Sequence, residues 1–110
     1  MKKIVVTAPV AAADKVRQAI GEAGAGKVGN YSFCSFSVRG VGRFIPNEGA
    51  HPAIGEVGKL EEVEEERIEV NCADELVAGV VAAIRAVHPY EEPAIDIYPL
   101  EDQSLQGRTL

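Results

Sequence analysis

The sequence is poor in the residues that build disulfide frameworks and metal centres. Two cysteines, Cys34 and Cys72, and two histidines, His51 and His88, are spread over 110 residues. Two distant thiols make no disulfide scaffold, and in a leaderless chain they read as free and reduced. Neither histidine stands in a signature, so no Ser–His–Asp set is visible. Long apolar runs are also missing: nothing approaches the ~18 residues that span a bilayer. The opening MKKIVVTAPVAAADK has a basic pair and a short apolar run, but Pro9 and Asp14 interrupt it, so it reads as a first strand entering a helix rather than a signal peptide. Cytoplasm is the expected location. Positive charge is scarce, with 11 Lys and Arg against 17 Asp and Glu, a net charge of −6. Seven glutamates fall between Glu56 and Glu69. Such a chain repels phosphate backbones, so nucleic acid is excluded as an expected partner and cations or basic groups are favoured.

What is present is an ordinary globular composition, 46% apolar, in a length that suits one domain with a real core. That domain is expected over 1–102, with 103–110 a flexible tail. Residues 2–8 read as a buried strand stopped by Pro9. Ala12, Val16, Ala19, Ile20 and Ala23 recur at helical spacing over 11–23, and the glycines at 24 and 26 stop that helix. Residues 30–39, NYSFCSFSVR, read as a strand on aromatic and β-branched content. Gly40 and Gly42 suggest a turn or bulge, with Arg43–Ile45 as a short continuation. Residues 46–58 read as loop. LEEVEEERIEVNC (60–72) reads as extended from 63, with Ile68, Val70 and Cys72 on one face. Leu76, Val77, Val80, Val81, Ile84 and Val87 give 74–87 a helical apolar stripe, which Pro89 ends. Residues 94–100 form the last strand.

The order strand–helix–strand–strand–helix–strand predicts an α+β, ferredoxin-like split βαβ sandwich: one antiparallel sheet with two helices on one face. The other sheet face then needs a cover. Phe33, Phe36, Phe44, Cys34 and Val38 place apolar groups on both sides of the 31–45 ribbon, which points to a second subunit or to the 46–58 loop as that cover.

Several motifs carry chemistry, each beside a plainer reading. GAGKVGN (24–30) imitates a dinucleotide fingerprint, but a helix precedes it and a strand follows, the reverse of what phosphate binding needs. Helix termination explains its glycines. Cys34 is either a reactive thiol or a small apolar strand residue. The acidic run 61–66 reads as a solvated face, with Arg39, Arg43 and Arg67 available for ion pairs. HPYEEP (88–93) is either a metal corner, with His88, Glu91 and Glu92 joined by His51 and Cys34, or a stiff connector in which His88 caps the helix and Tyr90 packs beneath.

Three stretches, GAGKVGNYSFCSF (24–36), GVGRFIPNEGAHPAIGEVGKLEEVEEERIE (40–69) and HPYEEPAIDIYPL (88–100), together resemble the small domain inserted in Nif-three-like, or dinuclear-metal-centre hexameric, proteins. The resemblance runs from about residue 2 to 101. It implies a CutA-type or PII-like domain with a ferredoxin-like fold and a tendency to oligomerise, with a trimer as the first expectation. The family's dinuclear metal site lies in its flanking domain and is not carried over to this chain, nor is any hydrolase activity. Where the family is expected to read GANP, this chain has Gly49, Ala50, His51 and Pro52. Where it is expected to read AYD, this chain has Ala94, Ile95 and Asp96.

The expected function is a non-catalytic, homo-oligomeric binding or regulatory domain, with a divalent metal ion or a small ligand as candidate occupant. The candidate metal residues are His51, His88, Glu91, Glu92 and Cys34. Two alternatives stay open: a metal-dependent enzyme of unknown substrate, and an interaction module that docks on a larger protein without a ligand.

Overall fold

The computed structural model describes residues 1–101; the tail expected at 103–110 lies outside them. Four strands and two helices follow one another as β1 (Lys2–Pro9), α1 (Val10–Glu22), β2 (Phe36–Phe44), β3 (Glu61–Cys72), α2 (Val77–Val87) and β4 (Ile95–Pro99). A 3-10 turn, Asp74–Leu76, leads into α2. The sheet order is β2-β3-β1-β4 and every neighbouring pair is antiparallel. This is the ferredoxin-like arrangement that the element order predicts.

Period-2 alternation sorts the sheet into two faces. Ile4, Val6 and Ala8 of β1 and Ile68, Val70 and Cys72 of β3 meet Ala13, Val16 and Ile20 of α1 and Val80 and Ile84 of α2 in one core. Their burial is the main driving force of the fold. Arg17 on the same side of α1 reaches down to Glu66 of β3 and Ser37 of β2, fastening the helix to the sheet. The partnership with Glu66, then with Asp14, raises the Arg17 pKa further above its ordinary range.

The end of α1 is set by Gly24. Its positive φ of 99° lets the Ala25 N–H reach the Ile20 carbonyl and its own N–H reach that of Gly21, a Schellman closure. The strand expected at 30–39 begins only at Phe36. Residues 26–35 instead fold into a tight loop: the Cys34 N–H bonds the Gly26 carbonyl, Val28 and Tyr31 bridge each other, and Phe33 takes a positive φ of 58°. Its ring lies over Gly21, where a β-carbon would stand. Aromatic content suits a strand, but this local hydrogen bonding wins. Cys34 is therefore a loop residue and not a mid-strand one. The turn or bulge expected at Gly40 and Gly42 is also absent, since β2 pairs continuously with β3 from Phe36 to Phe44.

β3 outruns its neighbour. The last residue of β1, Pro9, stands opposite Glu65, whereas β2 pairs with β3 down to Glu61. Residues 41–44 and 61–64 thus form a two-stranded ribbon that projects past the end of the sheet, and the molecule is elongated, 55 × 23 × 21 Å. No helix of the described residues is long and apolar enough to cross a membrane. Ile68 is fully buried at the centre of the core. Ile68→Ala is expected to lower stability by about 2–5 kcal/mol, read as an earlier midpoint in urea with an unchanged slope.

Candidate functional site

The candidate corner forms where several elements stop together. Beside the projecting ribbon, β1 ends at Pro9, α2 ends at Val87 and β4 begins at Ile95, opposite Val6. Pro89 disfavours helical geometry at His88, which is extended (φ −73°, ψ 132°). The chain then crosses the sheet end as the connector 88–94.

His88 pins this connector. Its backbone N–H closes α2 on the Ile84 carbonyl at 2.9 Å. The imidazole does not cap the helix carbonyls, as the sequence suggested; Nε2 lies 2.8 Å from the Thr7 carbonyl of β1. The Tyr90 N–H reaches Nδ1 at 3.1 Å. Nδ1 therefore accepts, and Nε2 carries the proton and donates. Both nitrogens are used, and the residue is buried. A metal ion at His88 would have to displace one of these bonds. Long-range nitrogen–proton correlation spectra are expected to show the neutral tautomer protonated at Nε2; an Nδ1-protonated ring would contradict this geometry.

Tyr90 is the second pin. Its hydroxyl donates to Glu65 Oε2 at 2.6 Å, and its ring packs edge-on against Phe44 with centroids 5.7 Å apart. Glu65 is only 7% exposed, although it sits in the acidic run that reads as solvated. The pattern explains it. Ile68, Val70 and Cys72 face the helices, so the odd-numbered β3 residues face the other way. Glu65 stands opposite Gly40, and its carboxylate occupies the space where a β-carbon of Gly42 would be. Glycine here lets the carboxylate lie flat on β2. Burial, and then the neighbouring Glu65 carboxylate, push the Tyr90 phenol well above its ordinary range.

The loop 45–60 closes the corner. Its ends are held by the Gly58 N–H on the Pro46 carbonyl, and its middle by the His51 N–H on Glu91 Oε1 at 3.1 Å. Ribbon, loop and connector enclose a cleft of about 690 Å³. Its walls are mostly apolar, with Phe44, Ile45, Ile54 and the Tyr90 ring, and its polar groups include Glu65, Glu91 and Glu92.

The candidate residues divide accordingly. Glu91 and Glu92 line this cleft. His51 meets Glu91 through its backbone, its side chain being exposed. His88 lies beneath, with both ring nitrogens engaged. Cys34 lines a different, smaller cleft beside Arg17 and Phe33. Among the described residues, no three His, Cys, Asp or Glu side chains are grouped so as to hold a metal ion. Sequence reasoning missed Glu65, Thr7 and Phe44. The legible signal for Glu65 was a glutamate out of phase with the inward stripe, across from a strand with two glycines.

Tyr90→Phe leaves the buried Glu65 carboxylate without its donor and is expected to cost about 1–3 kcal/mol. The raised phenol contributes its stability in full below the ordinary tyrosine range and loses it as pH rises through the raised value. Phenolate absorbance in an alkaline titration should therefore lose its highest-pH step in this variant.

No family model matches the chain. It is 50% identical over 108 residues to a "GTP cyclohydrolase 1 type 2 homolog" of Halalkalibacterium halodurans, a match covering 98% of this chain and 28% of that protein. It is 51% identical over 100 residues to the Mycobacterium tuberculosis protein of the same name, covering 91% and 26%. The crystal structure of a Bacillus cereus protein related to NIF3 superposes with a TM-score of 0.80 at 50% identity, over 92% of this chain and 26% of that one. The divalent cation tolerance protein CutA of Archaeoglobus fulgidus superposes with a TM-score of 0.67 at 24% identity, over 93% and 86%, a likeness of fold alone. The chain is thus homologous, over nearly its whole length, to one segment of the NIF3-related proteins, and that segment has the CutA-like fold. It spans little more than a quarter of the length of those relatives.

Proposed function

We propose that this chain is a non-catalytic binding domain that works as a homo-oligomer and receives a small ligand in the cleft at the sheet end. The observation that carries the ligand reading is the cleft itself. Its volume and its mostly apolar wall with a few placed polar groups are those of small-molecule sites. The His88 and Tyr90 hydrogen bonds pre-form it.

The helix-free sheet face supports assembly. Phe36, Val38 and Tyr98 lie on it, and are 65%, 45% and 45% exposed. β2, which carries Phe36 and Val38, is also an unpaired edge, while Tyr98 lies on β4 at the other edge. Unpaired strand edges and contiguous apolar patches are the surfaces that associate. Thr7, Glu65 and Phe44 belong to the same face, so the cleft adjoins the proposed interface.

The "GTP cyclohydrolase" in the relatives' name is not proposed for this chain. It matches only about a quarter of each such protein. In the cleft, the buried carboxylate is bonded to a tyrosine hydroxyl and the nearby imidazole is locked on both nitrogens. Neither is poised to move a proton. A metal-bound reading of the same corner is less well supported, because its candidate ligands are divided between two clefts and an occupied imidazole.

Light scattering at micromolar concentration is expected to give a mass that is a multiple of the chain's own. The double change Phe36→Asp and Val38→Asp should reduce it to a single copy with the helical content kept. A wild-type chain that stays monomeric would remove the assembly half of the proposal.

A further inference from the structure

The charge in the cleft is one-sided. Four carboxylates, Glu48, Glu65, Glu91 and Glu92, line it against one guanidinium, Arg43. That guanidinium is already paired across the ribbon, Nε to Glu62 Oε1 at 3.3 Å. Glu65 is the informative member. Among the described residues, Glu65 and His88 are the only buried polar or charged ones. Tyr90 satisfies Oε2, while Oε1 accepts no hydrogen bond from the described residues and is not sealed from the cleft. This free acceptor, open to the cleft, can take a donor or a cation. Next to it lie the rings of Phe44 and Tyr90, and aromatic ring faces attract cations.

We infer that the cleft takes a protonated amine or amidine carried on a small apolar body. The cation sits against Glu65 Oε1, and the apolar body lies along Phe44, Ile45 and Ile54. The ligand class follows by comparison. A phosphate or carboxylate would meet four like charges and no unpaired cation. A bare divalent ion needs several oxygen ligands converging within about 2.0–2.6 Å, and among the described residues no three such groups are so placed. A neutral apolar molecule would fill the wall and leave Glu65 Oε1 unmet. An ammonium or amidinium needs only one or two acceptors and tolerates carboxylates that are dispersed, as these are.

This inference rests on the cleft being a ligand site, and four probes separate the two claims. Benzylamine and benzamidine carry the cation, benzyl alcohol is the neutral isostere and benzoate the anion. Each is titrated into the full chain and followed by calorimetry and ligand-observed NMR. The amine and amidine are expected to bind, the alcohol at least tenfold more weakly, and benzoate not at all. Raising the salt concentration should weaken only the cationic probes. Glu65→Gln keeps an acceptor for Tyr90 and removes the charge; it should cost about tenfold in benzamidine affinity. Glu92→Gln, at an exposed position, serves as a second charge removal should the buried change disturb folding, and a loss of several-fold is expected there. Equal binding of amine and alcohol, or no loss in either variant, overturns the cation inference and leaves the cleft as an apolar site. Failure of all four probes to bind overturns both claims.

Discussion

One hydrogen bond organises the sheet end: the Tyr90 hydroxyl on the buried carboxylate of Glu65. A carboxylate withdrawn from water costs several kcal/mol unless a donor meets it, so wherever Glu65 is buried Tyr90 must follow. Tyr90 can follow only if the connector leaves α2 in the right direction. Pro89 fixes that departure by forcing His88 out of helical geometry, and the His88 ring then ties the connector to the Thr7 carbonyl. Glu91, one residue on from Tyr90, comes within reach of the His51 N–H and brings the long loop over the corner. Each contact is made possible by the one before it, and the cleft is what this sequence of contacts encloses.

The second constraint is one of length. β3 is four residues longer at this end than β1 can pair with, and β2 follows β3 rather than the sheet. The projecting ribbon therefore has two faces and neither helix beneath it, which is why Phe44 must find its cover in Tyr90 rather than in the core. Farther along the same face, Phe36 and Val38 have no such connector above them and remain exposed. One face of the sheet thus has two fates: a cleft at one end, and farther along an open surface on which Phe36 and Val38 stand exposed beside the Arg67–Glu69 ion pair.

Much of this was legible in the sequence, and the reason differs from element to element. The core was readable because Ile68, Val70 and Cys72, and Val77, Val80 and Ile84, obey two different periods, although Leu76 and Val87 at the ends of the predicted stripe stay exposed. The fold class followed from element order, and the end of α1 from the glycines at 24 and 26. The start of β2 was not readable, because Asn30–Ser35 has the aromatic content of a strand while its conformation is decided by bonds to Gly26 and by the left-handed turn at Phe33. Gly40 and Gly42 suggested a break for the usual reason, yet β2 runs on through both, and Gly42 makes room for a carboxylate on the neighbouring strand, a contact between residues more than twenty apart. HPYEEP was readable as a helix stop because Pro89 ends α2, while the place of the His88 ring was not. The partner of its tyrosine could not be named, because Glu65 shares its out-of-phase position on β3 with Glu61 and Glu69, and only the tertiary fold brings one of them to Tyr90.

The five candidate residues grouped from sequence show where such grouping fails. His51, His88, Glu91, Glu92 and Cys34 are the metal-ligating types of the connector and its presumed neighbours, and chemistry alone gives no reason to separate them. Topology does. Cys34 belongs to the loop after α1, on the far side of Arg17, and the His88 ring faces β1 rather than the cleft. What remains at the corner is carboxylate and aromatic surface without imidazole or thiolate. That composition lacks the soft ligands a zinc-like ion prefers, and its oxygens are spread around a space much larger than a coordination sphere. Dispersed negative charge over an apolar wall is complementary to a cation whose charge is itself spread and whose bulk is organic, so the same geometry that weakens the metal reading strengthens the amine one.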